Sequence, residues 1–189
     1  MKKLEEAITF ATNMHSGQTR KITNLPYILH PMETAVIVST MTKDEDLIIA
    51  SLLHDVIEDT PATEDDVRDL FGEHILSLIK SETENKRNTL PPEQTWRIRK
   101  EESLLDLRDA THDEQILWLA DKLSNVRSMA EQYMVIGDKI FEAFHEKRKS
   151  EHEWYYRTIL DILRPGFCNT FAFKEYERHV NDIFGGDTK

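Results

Sequence analysis

Apolar residues recur at spacings of three and four along most of the chain, which is the pattern of helices with one buried face. The strict alternation of apolar and polar residues that is typical of half-buried strands is nearly absent. We therefore predict an all-α fold, a helical bundle of about eight or nine helices.

The first half of the chain contains five of the predicted helices. Thr42 and Glu45 have the spacing of a capping box, which predicts the start of the third helix. We expect this helix to carry His54 and Asp55 and to end at a bend near Pro61. The other four are predicted over residues 4–11, 31–38, 63–72 and 75–79.

Residues 81–92 separate the two halves of the chain. They are charged, contain two adjacent prolines and lack periodic apolar positions, so they predict a surface loop that is a candidate for a mobile lid. After this loop, Pro165 and Gly166 are expected to end one helix and Gly185 and Gly186 to end the last. The helical stretches predicted here are residues 96–107, 116–126, 141–163 and 173–183.

Length and composition restrict the class of protein. A chain of 189 residues is expected to form a single domain over residues 1–189. No apolar stretch approaches the roughly 20 residues that cross a bilayer, and the first residues lack a signal-peptide core, so we expect a soluble, cytoplasmic protein. Cys168 is the only cysteine, which excludes an internal disulfide and a thiolate zinc cluster. A metal site would therefore use histidine and carboxylate ligands.

The formal charge of −11 indicates which partners to expect. Binding of long nucleic acid requires many lysine and arginine contacts to phosphates, so this charge argues against it. A small anionic ligand remains compatible with local groups of basic residues such as Arg20 and Lys21. A homo-oligomer is also compatible with the sequence, which does not determine the oligomeric state.

The most informative motif is the run from His54 to Asp59. It places His54, Asp55, Glu58 and Asp59 within six consecutive residues, next to the apolar face of the third predicted helix. Burying such groups without partners is costly, so the run indicates a metal or proton-transfer site.

Asp121 and His30 are further candidate site residues because of their positions in the predicted helices. Asp121 lies within a strongly apolar helix and shares a stripe with Asn125 and Ser128, where it either forms a salt bridge or faces a polar pocket. His30 precedes Pro31 at a predicted helix start, where a lone histidine is most often a capping or packing residue.

Together, His30, His54 with Asp55, and Asp121 have the order and approximate spacing of the metal ligands in the HD-domain phosphohydrolase superfamily. Four blocks of sequence resemble the hydrolase domains of RelA/SpoT-type alarmone enzymes, and later regions are similar to the small stand-alone members. The resemblance implies an HD-type helical bundle. The blocks are residues 17–21, 26–31, 53–60 and 119–127.

The resemblance also implies a role for each candidate residue. It implies one divalent metal ion, Mn²⁺ or a similar ion, which suits a set of imidazole and carboxylate ligands. Glu58 and Asp59 would orient the attacking water and handle protons at the leaving group, and Arg20 would lie near the guanine base. The implied metal ligands are His30, His54, Asp55 and Asp121, and the implied substrate contacts are Arg20, Lys21, Asn125 and Ser128.

The function implied is hydrolysis of the 3′-diphosphate of guanosine 3′,5′-bis(diphosphate)-type alarmones, with release of pyrophosphate. From Ser81 onward the chain departs from the full-length alarmone enzymes, which weakens the assignment of the substrate. Three alternatives therefore stay open: an HD phosphohydrolase for another nucleotide, a non-catalytic nucleotide sensor, and an HD-type di-iron oxygenase, which would be expected to need more histidines. The remaining histidines, including His15, are interpreted as structural.

Overall fold

A computed structural model of the protein describes residues 2–82, 87 and 89–185. Within these residues the regular structure is helical, and the one β-type pairing is an isolated antiparallel bridge between Thr19 and Pro26. The predicted all-α class is therefore confirmed. None of the described helices is both long and apolar enough to cross a membrane.

Ten α-helices and one 3₁₀ helix are present in the described part of the chain, and one α-helix is a single four-residue turn. The 3₁₀ helix covers Gly137–Ala143. The α-helices are α1 (Lys2–Met14), α2 (Leu29–Met41), α3 (Glu45–Leu53), α4 (Val56–Asp59), α5 (Glu64–Phe71), α6 (Glu73–Lys80), α7 (Pro92–Asp109), α8 (His112–Ile136), α9 (Lys149–Phe167) and α10 (Phe171–Phe184).

The chain divides into two compact units. The first contains residues 1–83 and 110–121, and the second contains residues 84–109 and 122–189. In the first unit α3 packs against α1, α2 and α6; in the second, α7 and α10 pack against α9. The expectation of a single domain over residues 1–189 stays a prediction.

Helix α3 is the central helix of the first unit. Leu47, Ile49, Ala50 and Leu53 are almost completely buried, and they lie on more than one side of the helix. A helix that is apolar on all sides must be surrounded by other elements, and here the surrounding elements are three helices. The end of α3 therefore reaches the interior of the unit, where a polar group needs a partner.

The start of α3 differs from the sequence prediction. Asp44 is the N-cap, and its carboxylate accepts hydrogen bonds from the backbone N–H groups of Asp46 and Leu47. The hydroxyl of Thr42 instead accepts from the N–H of Asp44. The predicted Thr42–Glu45 capping box was therefore wrong, because the nearer carboxylate satisfies the free N–H groups of the first turn.

The end of α3 also differs from the prediction, because the helix does not continue through the motif. It stops at Leu53, His54 and Asp55 form a turn, and α4 begins at Val56. Thr60 has extended backbone angles (φ −131°, ψ 173°), as is favoured for a residue that precedes proline. Helix α4 is therefore limited to one turn by the break on one side and by Pro61 on the other.

The second unit corrects two more boundaries. The 3₁₀ helix and α9 are separate elements, so the continuous helix predicted over residues 141–163 was wrong. Helix α9 also continues through Pro165 to Phe167, because the buried side chains of Leu163 and Phe167 pack in the core on both sides of the proline. Gly185 ends α10 with φ +83°, as expected. Residues 83–86 and 88 of the candidate lid lie outside the described residues, so the lid stays a prediction.

The helix predicted from residue 63 is present as α5, and Thr63 and Asp66 form a capping box at its start. Its hydroxyl accepts from the N–H of Asp66, and the Asp66 carboxylate accepts from the N–H of Thr63 at 2.8 Å.

We expect Thr63→Ala to lower the free energy of unfolding by about 1 kcal/mol, because the hydroxyl that accepts from the N–H of Asp66 is lost, while the backbone N–H of residue 63 still donates to the Asp66 carboxylate. For a protein of this size, this corresponds to a Tm lower by about 2–4 °C in circular dichroism melts. Thr12→Ala is the matched control, because Thr12 is an exposed residue of α1 that is not a helix N-cap. An equal loss in both variants would contradict a special role for the cap.

Candidate functional site

Four side chains from three parts of the first unit meet in its interior. His30 lies in the first turn of α2, His54 and Asp55 form the turn between α3 and α4, and Asp121 lies on α8. His30, His54 and Asp121 are 3%, 4% and 4% exposed, so these polar side chains are as buried as the surrounding core. We refer to these four residues as the His/Asp cluster.

The distances within the His/Asp cluster are those of direct contacts. His30 Nε2 lies 2.9 Å from Asp121 Oδ1, and His54 Nε2 lies 3.0 Å from Asp55 Oδ2. The crossed distances are also short, at 3.6 Å from His30 Nε2 to Asp55 Oδ2 and 3.5 Å from His54 Nε2 to Asp121 Oδ1. Both Nε2 atoms therefore face both carboxylates.

The orientation of His54 is determined by its other ring nitrogen. His54 Nδ1 lies 2.9 Å from the carbonyl oxygen of Ser51 in the last turn of α3. A carbonyl oxygen only accepts, so Nδ1 carries a hydrogen and donates it. In the neutral ring Nε2 then presents a lone pair to the carboxylates, and this buried atom has no hydrogen-bond partner of acceptable geometry.

A positive charge is required where these atoms meet. Burial lowers the pKa of His30 below its ordinary value. Burial also acts to lower the pKa of His54, but the neighbouring Asp55 and Asp121 outweigh it and hold that pKa above the ordinary value. In the same way His54 outweighs the effect of burial on Asp55 and holds its pKa below the usual range. The cluster therefore stabilises a cation, either a proton or a metal ion.

The donor atoms fit a divalent metal ion. His30, His54 and Asp121 each present one ligand atom, and these atoms lie within 4.8 Å of one another. The N–H of His54 that donates to a backbone carbonyl is the usual support of a metal-binding histidine. Nitrogen and oxygen ligands suit Mn²⁺, Fe²⁺ or Zn²⁺, and no thiolate is needed. The assignment of His30, His54, Asp55 and Asp121 as metal ligands nevertheless stays a prediction.

Tyr27 is a residue of the site to which the sequence motif assigned no role. Its hydroxyl donates to Asp55 Oδ2 at 2.6 Å and lies 3.5 Å from Asp59 Oδ2. Burial, and then the nearby Asp55 carboxylate, raise the pKa of Tyr27, so the phenol stays protonated and remains a donor. A tyrosine three residues before a candidate ligand was the available signal, but an aromatic residue beside a helix start is also common in cores.

Glu58 and Asp59 lie on the single turn of α4. Glu58 is half-buried and Asp59 is exposed, so both differ from the almost completely buried His30, His54 and Asp121. The backbone carbonyl of Asp59 accepts a hydrogen bond from Gln18 Nε2 at 2.6 Å. Their roles in water activation and proton transfer stay predictions.

The predicted substrate contacts occupy different parts of the chain. Arg20 is half-buried, with its guanidinium 5.8 Å from the centre of the Tyr27 ring, whereas Lys21 is exposed. Asn125 and Ser128 follow Asp121 on α8 by about one and two turns, and both are half-buried residues of the second unit. Contact of these four residues with a substrate stays a prediction.

A buried set of histidine and carboxylate side chains within a helical unit is an arrangement that suits a divalent metal ion, and comparison with known proteins gives the family. The chain matches the HD domain over residues 7–149, and it belongs to this family. It is 35% identical over 128 residues to a guanosine-3′,5′-bis(diphosphate) 3′-pyrophosphohydrolase of Aquifex aeolicus, a match that covers 67% of the chain and 18% of the relative.

A second relative is the bifunctional (p)ppGpp synthase/hydrolase SpoT of Escherichia coli K12. The chain is 45% identical to it over 80 residues, which cover 42% of the chain and 11% of the relative. The chain thus spans less than one fifth of the length of both curated relatives.

Two solved structures share the fold. A metazoan ortholog of SpoT, described as hydrolyzing ppGpp, matches with a TM-score of 0.78 and 24% identity over 98% of each chain. The crystal structure of lmo0812 from Listeria monocytogenes EGD-e matches with a TM-score of 0.71 and 33% identity over 87% of this chain and 99% of that one. The predicted HD-type fold is confirmed.

Proposed function

We propose that this protein is a metal-dependent pyrophosphohydrolase that removes the 3′-diphosphate of guanosine 3′,5′-bis(diphosphate)-type alarmones. The observation that carries the proposal is the buried His/Asp cluster, with two imidazole nitrogens facing two carboxylates at 2.9–3.6 Å. Curated relatives named for this reaction support the choice of substrate.

The His/Asp cluster would hold one divalent ion, which we propose is Mn²⁺. His30 and His54 would supply Nε2, and Asp55 and Asp121 would supply carboxylate oxygens. When bound, such an ion acidifies water and withdraws charge from phosphoryl oxygens. The hydrogen bond from His54 Nδ1 to the carbonyl of Ser51 keeps the imidazole in the orientation that this role requires.

Hydrolysis then requires two proton transfers. Water attacks the phosphorus that is bonded to the ribose 3′ oxygen and loses a proton, the bond between that phosphorus and the 3′ oxygen breaks, and this oxygen gains a proton. Glu58 and Asp59 are the proposed acid and base, since carboxylates at such positions contribute through proton transfer in the transition state. The products are pyrophosphate and the nucleotide with a free 3′ hydroxyl.

The proposed substrate contacts supply charge and stacking. Arg20 offers a planar guanidinium for the guanine base, and Lys21 offers a compact positive charge for phosphate. Asn125 and Ser128 would contact the nucleoside. We propose that the protein acts in the cytoplasm on this small nucleotide, in agreement with a net charge of −11 that disfavours long nucleic acid.

The test is hydrolysis by the purified protein before and after removal of metal. We expect pyrophosphate release from guanosine tetraphosphate to disappear after dialysis against a chelator and to return with Mn²⁺, because the buried carboxylates and imidazoles act through the ion. Chromatographic analysis of both products locates the bond that is broken. Cleavage of another nucleotide in place of the alarmone would retain the enzyme class and reject the substrate. Tight nucleotide binding without turnover in any divalent ion would identify a sensor.

A further inference from the structure

The loop between α1 and α2, residues 15–28, forms hydrogen bonds with both ends of α4. A helix of four residues contains too few hydrogen bonds to be stable alone, so its position depends on contacts with its surroundings. This dependence matters because α4 carries Glu58 and Asp59, and it follows directly after His54 and Asp55.

The contact at the start of α4 involves Tyr27. Asp55 is the N-cap residue of α4, yet its side chain forms no capping hydrogen bond with the helix. The carboxylate instead accepts a hydrogen bond from the Tyr27 hydroxyl at 2.6 Å and faces His54 at 3.0 Å. Tyr27 thus holds the carboxylate in an orientation directed away from its own helix.

The contact at the end of α4 involves Gln18. Its amide nitrogen donates to the carbonyl of Asp59 at 2.6 Å, and its amide oxygen lies 2.8 Å from Nδ1 of the buried His15. The loop joins the two contacts, because the N–H of Tyr27 donates to the carbonyl of Gln18 at 2.9 Å. One short piece of backbone therefore connects the contacts at the two ends of α4.

We propose that Tyr27 and Gln18 are positioning residues that clamp the two ends of α4. Tyr27 sets the orientation of the Asp55 carboxylate toward the metal ion, and Gln18 sets the position of the turn that carries Glu58 and Asp59. The proposal rests on the proposed function for its catalytic part, whereas its structural part concerns metal affinity and the stability of α4. Tyr27 has one hydroxyl proton, and the shorter distance assigns it to Asp55 rather than Asp59.

We expect Tyr27→Phe to lower the affinity for metal and Gln18→Leu to lower turnover. Tyr27→Phe should weaken Mn²⁺ binding by about 10- to 100-fold in calorimetry without substrate, because a supporting hydrogen bond of a ligand is removed. Gln18→Leu should leave Mn²⁺ affinity unchanged and lower kcat by roughly 10-fold or more at constant KM, because small displacements of catalytic groups are costly. It should also speed hydrogen exchange at the backbone amides of Asp59 and Thr60, which bond within α4.

Two control variants make the same kinds of substitution, tyrosine to phenylalanine and glutamine to leucine, at residues outside this loop. Tyr133→Phe removes a hydroxyl that interacts with Lys149, and Gln94→Leu alters an exposed residue of α7; both should keep the wild-type values. Unchanged metal affinity in Tyr27→Phe, or unchanged amide exchange in Gln18→Leu, would overturn the proposal. These measurements need no turnover, so a wild-type protein that binds Mn²⁺ but leaves the alarmone intact rejects the substrate alone. If thermal melts show that Tyr27→Phe does not fold, the amide exchange of Gln18→Leu still tests whether this loop holds α4 in place.

Discussion

Replacement of Asp121 by alanine is expected to abolish metal binding and catalysis together. Asp121 Oδ1 lies 2.9 Å from His30 Nε2 and 3.5 Å from His54 Nε2, so its removal leaves both imidazoles without this counter-charge. We expect kcat/KM to fall at least about 1,000-fold, which corresponds to roughly 4 kcal/mol of transition-state stabilisation. Metal content by mass spectrometry and hydrolysis assays in added Mn²⁺ measure the two effects.

The matched control is Glu131→Ala, which removes an exposed carboxylate from the same helix. This variant should retain metal and activity. Far-UV circular dichroism of both variants in chelator separates loss of the site from loss of the fold. A folded Asp121→Ala protein that retains one Mn²⁺ per chain would contradict the ligand assignment.

Replacement of Glu58 by glutamine is expected to lower turnover while metal binding persists. Glu58 lies half-buried on α4, and the proposed function gives it a role in proton transfer rather than in metal binding. Loss of a general acid or base lowers kcat by about 100- to 10,000-fold. Single-turnover kinetics at saturating Mn²⁺ measure this change, and calorimetry measures the affinity for the metal.

Glu5→Gln is the control for Glu58→Gln, since it neutralises an exposed glutamate of α1 in the same unit. It should leave both quantities at the wild-type values. Equal loss of metal in Glu58→Gln and Asp121→Ala would show that the division between metal ligands and acid–base groups is wrong.

The positions of most helices followed from the sequence because apolar spacing and helix-end residues act locally. Thr63 and Gly185 show this directly, since a cap and a left-handed backbone position depend on few neighbours. The boundaries that failed depend on competition or on tertiary contacts. At α3 Asp44, which lies two residues after Thr42, took the role predicted for Thr42. At Pro165 packing continues a helix that local preference alone would end.

The sequence motif predicted the meeting of four residues that come from three separate regions of the chain. Their proximity is confirmed by the distances among His30, His54, Asp55 and Asp121, although their metal-binding role stays a prediction. The hydrogen bonds from Tyr27 to Asp55 and from Gln18 to Asp59 could not be predicted, because they depend on where α4 stops and on how the loop of residues 15–28 folds. Such contacts leave no periodic pattern in the sequence.

Because α3 and α4 are separate helices, His54 is held in place by different contacts from those that hold Glu58 and Asp59. His54 is held through Ser51 by the buried helix α3, whereas Glu58 and Asp59 depend on a short turn at the edge of that core. Substitutions in α4 or in residues 15–28 can therefore change the rate of proton transfer without disrupting the hydrophobic core. Laboratory evolution toward other phosphate esters should accordingly begin with substitutions in these segments, while α3 tolerates little change.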